Sequence, residues 1–140
     1  MNVQGSFAPA DTRLIEMIFP EQANHYGTLF GGNALSLMGK AAFVAATRRA
    51  RKPIVMARSE KIEFHVPVRV GDMVELRARV VRVGRSSMTV IVDVISEGLL
   101  SGDRRLAVQG SFEMVAVDQN GKPTPVETAT SITFAEETLS

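Results

Sequence analysis

Apolar positions recur along the chain with two different periods, and the change of period divides it into elements. Leu14-Ile15-Glu16-Met17-Ile18-Phe19 is a short apolar run that stops at Pro20, which predicts a strand closed by a residue without a backbone donor. Glu21 to Gly32 is rich in small and polar residues and predicts a loop. From Asn33 the spacing turns helical, carried by Ala34, Leu35, Leu37, Met38, Ala41, Ala42, Val44, Ala45 and Ala46 through Arg51. Gly31-Gly32 open this helix and Pro53 follows its end. Arg48, Arg49, Arg51 and Lys52 crowd its last turn, where the dipole favours cations. The apolar face is mostly alanine. Small side chains let a helix lie close to a sheet, so the helix is expected to be central.

After Pro53 the period drops to two. Ile54 to Phe64 is a long strand candidate, followed by a connection with turn chemistry at Gly71-Asp72. Val74, Leu76, Ala78 and Val80 alternate with Glu75, Arg77 and Arg79. Gly84-Arg85-Ser86 predicts a tight turn, and Met88, Val90, Val92 and Val94 resume the alternation. A turn over Leu99 to Asp103 leads to a last strand in which Leu106, Val108, Gly110, Phe112 and Met114 share a face. Asn120-Gly121 is a turn signal, and the tail from Pro125 is polar, acidic and expected to be irregular. The pattern predicts an α+β chain: a strand, a helix, then four strands in a meander. Such alternation means an antiparallel sheet covered on one face. Gly110, in mid-strand, predicts a close approach, to the helix.

Composition changes this picture little. With 140 residues, 45% apolar and 22% charged, the chain suits one globular domain, with no linker or repeat in view. Sixteen basic against fifteen acidic residues give no argument for nucleic acid or an acidic membrane surface. The absence of cysteine excludes disulfides and thiolate chemistry. His25 and His65 are the two histidines and lack metal-ligand spacing, so no metal site is expected. The apolar run Ala41 to Ala46 is too short to span a bilayer, and the first residues do not resemble a secretory signal. A cytoplasmic protein without a membrane partner is the expectation.

Three constellations carry chemistry. In Asn24-His25-Tyr26-Gly27-Thr28-Leu29-Phe30-Gly31-Gly32, glycines bring bare amides to a helix start, where unpaired N–H groups and the dipole suit an oxyanion. Asn24 can donate to a carbonyl or hold a water. The plainer reading is a glycine-rich turn into a helix. Val83-Gly84-Arg85-Ser86-Ser87 can bind phosphate or be an ordinary solvated turn. Arg48-Arg49-Ala50-Arg51-Lys52 can meet a phosphate or merely complement the dipole. Arg58 and Glu60 fall on one strand face and are expected to form a partly buried pair. His25 is the better acid–base candidate of the histidines because of its neighbours, whereas His65 reads as a loop residue. There is no Gly-x-Ser-x-Gly elbow, phosphate loop or dinucleotide fingerprint.

Asn24 to Gly32 followed by Ala34-Leu35-Ser36-Leu37-Met38 resembles the hotdog acyl-CoA thioesterases of the bacterial short-chain and brain acyl-CoA hydrolase type. Pro67-Val68-Arg69-Val70-Gly71-Asp72, Val83 to Met88 and Phe112 to Val117 look like later blocks of that family, so the match runs from about Arg13 to Val126. The resemblance implies a single hotdog domain, one long helix wrapped by a five-stranded antiparallel sheet in the order 1-3-4-5-2, followed by a polar tail over 127–140. It implies hydrolysis of acyl-CoA to a fatty acid and CoA, with no cofactor beyond the substrate. Protomers would pair edge to edge, share two sites with pantetheine between them, and assemble as a hexameric trimer of dimers. Asn24 would contact the reaction centre. Amides at Gly31 and Gly32 would polarise the carbonyl, and Arg85, Ser86 and Ser87 would contact CoA. One departure stands out. The family carries an Asp, its base or nucleophile, directly after the Met that matches Met38, and Gly39 stands there in this chain. The substitution leaves open an inactivated hydrolase, a hydrolase using another carboxylate, or a non-catalytic acyl-CoA binding or sensing protein. Dehydration of a hydroxyacyl thioester would want a helix carboxylate, and Asn33 to Ala50 contains none.

Overall fold

The computed structural model describes residues 11–127. Its elements are β1 (Thr12–Met17), a 3-10 turn (Pro20–Gln22), α1 (Gly31–Ala50), β2 (Ile54–Phe64), β3 (Met73–Val83), β4 (Ser87–Glu97) and β5 (Arg104–Ala116). The strands form one antiparallel sheet in the order β1-β3-β4-β5-β2, with α1 packed on it. This is the hotdog arrangement. The strand order is the one the family resemblance implied, and it corrects the simple four-strand meander read from alternation: β2 pairs with β5 and not with β3, so each end of β3-β4-β5 gains a further strand. Alternation says which face a residue takes, but not which strand lies beside it. Here α1 carries the chain over the sheet to the β5 side before β2 begins.

The alanine face of α1 is what lets it lie close. Ala34, Met38, Ala41, Ala42, Ala45, Ala46 and Ala50 are buried. Opposite them, Val74, Leu76, Ala78, Met88, Val90, Val92, Val94, Val108, Phe112 and Met114 form the sheet side of one core. Period two therefore holds through β4, and through β3 only as far as the register shift between Val80 and Arg82, past which Val81 and Val83 are exposed; it fails in two further places. In β5, Leu106 is exposed and Ala107 buried, because the β4 register steps from Val94–Val108 to Ile95–Leu106. Ala107 is the extra residue of a bulge, and alternation reverses across it. In β2, Ile54 alone is buried, and register shifts follow Met56 and Glu60. This is an edge strand, so Arg58 and Glu60 do pair, with Arg58 exposed and Glu60 half-buried. At Gly110 the expected close approach comes from side chains: a Cβ there would stand 2.3 Å from Ile62 Cδ1 and 3.1 Å from Met38 Cε.

The chain ends shift by a few residues from expectation. β1 stops at Met17, and Pro20 opens the 3-10 turn. Val126 is buried and donates its N–H to the Arg85 carbonyl at 2.8 Å, so the segment at Val126 packs on the β3–β4 turn. Most of the expected polar tail, 128–140, lies outside the described residues. Among the described residues, no helix is long and apolar enough to cross a membrane.

The sheet face away from α1 is charged. Glu75 is 7% exposed and accepts from Arg104 Nη2 at 2.6 Å and Arg77 Nε at 3.1 Å. These two guanidiniums, Arg104 foremost, hold its carboxyl below the usual carboxylate range. A group whose folded pKa is depressed stabilises the fold above its unfolded pKa and loses that contribution as pH falls through the folded one. Glu75→Gln is therefore expected to lower the unfolding free energy at pH 7 by about 1–2 kcal/mol. The deficit should shrink in acid. Urea unfolding of both proteins across that range checks it, and a deficit that does not change with pH would remove Glu75 as the cause.

Candidate functional site

The Asn24 loop is built by short-range hydrogen bonds. Asn24 Oδ1 accepts from Tyr26 N at 2.9 Å, Thr28 N at 3.3 Å and Thr28 Oγ1 at 3.2 Å. Its backbone N–H reaches Thr28 O at 2.8 Å, and Gly27 closes the turn at φ +79°, a conformation glycine takes without strain. Three donors on one oxygen fix the amide orientation. Nδ2 then points away, and among the described residues it has no acceptor. Leu29 N to Val68 O at 2.7 Å and Phe30 N to Gln22 O at 2.9 Å anchor the loop on either side.

Phe30 precedes the first residue of α1, and no side chain caps the helix there. No acidic residue sits in the first turn. The amides of Gly31 and Gly32 thus lack partners among the described residues and face outward with the positive end of the dipole. Each glycine lies beside a ring, and only at Gly32 is the approach tight. A Cβ on Gly31 would stand 3.7 Å from Phe64 Cζ, and one on Gly32 would stand 3.1 Å from Phe30 Cε2. Gly31, Thr28, Leu29, Phe64, His65 and Pro67 border an open cleft of about 310 Å³. An uncapped helix start beside an apolar cleft and a free amide donor can hold a polarised carbonyl.

Gly39 lies eight residues further along α1, roughly 12 Å from Gly31 at about 1.5 Å per residue. It is half-buried and faces β2. A Cβ placed on it would meet Met56 Cε at 3.1 Å.

The other constellations lie elsewhere. In the Arg85 turn, Gly84 N donates to Ser87 O at 2.7 Å, Ala116 N to Ser86 O at 2.9 Å, and Arg82 Nη2 to Ser87 Oγ at 3.3 Å. Next to this turn, Pro125 O accepts from Lys52 and Glu127 pairs with Arg49. Arg85, Ser86 and Ser87 therefore sit by the C-terminal end of α1, and Asn24, Gly31 and Gly32 by its start. One chain does not bring the two groups together. The basic cluster is occupied with closing the helix: Arg48 Nη1 donates to Thr12 Oγ1 at 2.9 Å, and Arg51 takes the left-handed cap at φ 53°. His25 stacks on Tyr26 with ring centroids 4.0 Å apart. His65 borders the cleft, with Nε2 3.7 Å from Glu63. No group of three or more metal-ligating side chains converges among the described residues. Sequence reasoning missed Met56 and Phe64, the β2 side chains that touch the glycine positions of α1. Their only signal was strand periodicity.

A family model described as the thioesterase superfamily matches residues 26–102. The chain is 41% identical over 109 residues to an uncharacterized acyl-CoA thioester hydrolase of Bacillus subtilis, covering 78% of this chain and 63% of that protein. It therefore spans slightly less than two thirds of that relative. It is 33% identical over 132 residues to an acyl-CoA thioester hydrolase of Escherichia coli, covering 91% of this chain and 100% of that protein. An apo-hexameric acyl-CoA thioesterase superimposes with a TM-score of 0.82 at 37% identity, over 85% of this chain and 76% of the other. The acyl-CoA hydrolase of Staphylococcus aureus in complex with butyryl-CoA, CoA and CoA disulfide gives 0.80 at 28% identity, over 85% and 73%. Structures of that hydrolase also exist with an aspartate, a threonine or an asparagine changed to alanine.

Proposed function

This chain belongs to the thioesterase superfamily, among its acyl-CoA thioester hydrolases, and on that premise we propose that it cleaves acyl-CoA with water to a carboxylate and free CoA. The observation that carries the reading is the uncapped start of α1 beside Asn24, whose Nδ2 is left to donate. The thioester oxygen takes the Gly31 and Gly32 amides, which stabilise the charge that develops on it. Asn24 Nδ2 donates to the same carbonyl or orients the attacking water. The water oxygen bonds to the carbonyl carbon, the oxyanion collapses, the C–S bond breaks, and the CoA sulfur leaves as thiolate and takes a proton.

The weak point is the proton the water gives up. In the S. aureus hydrolase the altered asparagine and aspartate stand fifteen positions apart. The same step from Asn24 lands on Gly39, and α1 contains no carboxylate. Turnover in this chain is therefore slow, with solvent as the proton acceptor.

Position 39 and the start of α1 are too far apart on one helix to meet a single carbonyl. One centre therefore draws the helix start from one protomer and the position-39 region from another. β2 supports this. It is an edge strand paired only with β5, and Val55, Met56 and Phe64 are 48%, 44% and 56% exposed. Pairing through β2, extended to a hexamer built as a trimer of dimers, would bring Arg85, Ser86 and Ser87 of another protomer toward the CoA moiety; a similar acyl-CoA thioesterase is hexameric. The reading includes one domain over about 13–126, no cofactor and a cytoplasmic setting.

A second reading, acyl-CoA binding without turnover, is favoured by one observation: the Met56 methyl against Gly39. Free-thiol release from acyl-CoAs of graded chain length, with calorimetry of the same ligands, separates the two. Slow release above the uncatalysed background supports hydrolysis. Tight binding with none supports the second reading.

A further inference from the structure

We infer that Met56 is a functional residue of this centre: its thioether fills the place beside α1 where the reacting side chain of a hydrolase would stand, and it limits turnover together with Gly39. The inference rests on the hydrolase reading and deepens it. Three observations carry it.

The first is geometric. Among the described residues, Met56 Cε is the one atom, beyond the helix's own backbone and the adjoining residues, within 4 Å of a Cβ at position 39. A side chain there would enter space that Met56 alone now occupies. The second is exposure. Met56 is 44% exposed on an edge strand, whereas Met114, its register partner on β5, is fully buried. Core packing does not account for an open methionine. Its unbranched thioether is a flexible filler of irregular space, and here it fills the half-buried hollow at Gly39. The third is spacing. In the S. aureus hydrolase the altered aspartate and threonine stand seventeen positions apart. Gly39 and Met56 are separated by the same number, and a Cβ at position 39 would meet Met56 Cε at 3.1 Å. Both positions therefore carry groups that neither donate nor accept a strong hydrogen bond: a glycine, and a thioether that is a weak acceptor. The loss is paired, and the second residue lies in the space left by the first.

A physical consequence follows. A carboxylate introduced at position 39 would stand against the Met56 methyl. It would have to displace that methyl to reach the attacking water and to stay solvated. A small hydroxyl at position 56 would clear the space and add a donor. The effects of the two positions are therefore not independent.

The test measures kcat and KM for butyryl-CoA hydrolysis in the wild type, Gly39→Asp, Met56→Thr and the double variant, by free-thiol release. The gain from Met56→Thr should be about ten-fold larger in the Gly39→Asp background than in the wild type, in kcat and with little change in KM. Met56→Leu, which keeps the bulk without sulfur, should give no such gain. Equal gains in both backgrounds, or a gain from Met56→Leu, would overturn the inference while leaving the hydrolase reading standing. No thiol release from any variant carrying Asp at position 39 would overturn the hydrolase reading, and the inference with it. Thermal midpoints, with CoA binding by calorimetry, identify a variant that has failed to fold. If Met56→Thr fails, Met56→Ser and Met56→Ala carry the same comparison.

Discussion

Gly39→Asp is expected to raise free-thiol release from acyl-CoA about 10²- to 10⁴-fold, the usual contribution of a positioned general base. The substitution requires Met56 to shift: among the described residues the obstacle is Met56 Cε, at 3.1 Å from the new Cβ, and it ends a flexible, half-exposed side chain that can yield a few tenths of an ångström. Glycine in a helix interior is a poor helix former, costing roughly 1 kcal/mol against alanine, so replacing it should not destabilise α1. The gain belongs in kcat, because a base acts on the proton of the transition state and not on the bound ester. The variant's rate should also rise with pH through a carboxylate pKa, an inflection the wild type lacks. A wild type already as fast as the variant would mean that another group takes the proton.

In that same background Asn24→Ala is expected to lower kcat about 10²- to 10³-fold, the scale seen when one donor to a developing oxyanion is removed. CoA affinity should be largely kept. Asn24 also holds its own loop, since Oδ1 accepts from Tyr26 N, Thr28 N and Thr28 Oγ1. Alanine removes both functions at once. Asn24→Asp separates them: it keeps the acceptor that orders the loop and loses the Nδ2 donor. If the donor is catalytic, Asn24→Asp keeps the thermal midpoint and loses the rate. Should Asn24→Asp remain active, Asn24 matters for loop structure alone. A collapse of CoA binding in Asn24→Ala would make it a ligand contact.

Most of what could be read directly from the chain was local. The helix was expected from Asn33 through Arg51 behind Gly31-Gly32, and it runs Gly31–Ala50. Its alanines sit on the sheet, where small side chains let the helix backbone lie close. In β4, Met88, Val90, Val92 and Val94 are all buried, as strict alternation required. The Asn24 turn was legible as a motif because the Asn24 side-chain bonds that shape it join residues a few positions apart. Alternation misled where the sheet is irregular. The bulge at Ala107 turns Leu106 outward, and the shifts along β2 leave that strand open on its free edge.

The sequence by itself determined the elements, the glycine-rich helix start, the Asn24 turn and the missing carboxylate at Gly39. Each depends on residue type and on neighbours within one turn or strand. Tertiary structure alone decided the rest. It separated the Arg85 turn from Asn24 by the length of α1, and set Met56 against Gly39. Those outcomes depend on where the crossing helix delivers the chain and on which side chains then share a volume. Hydrophobic periodicity carries neither piece of information.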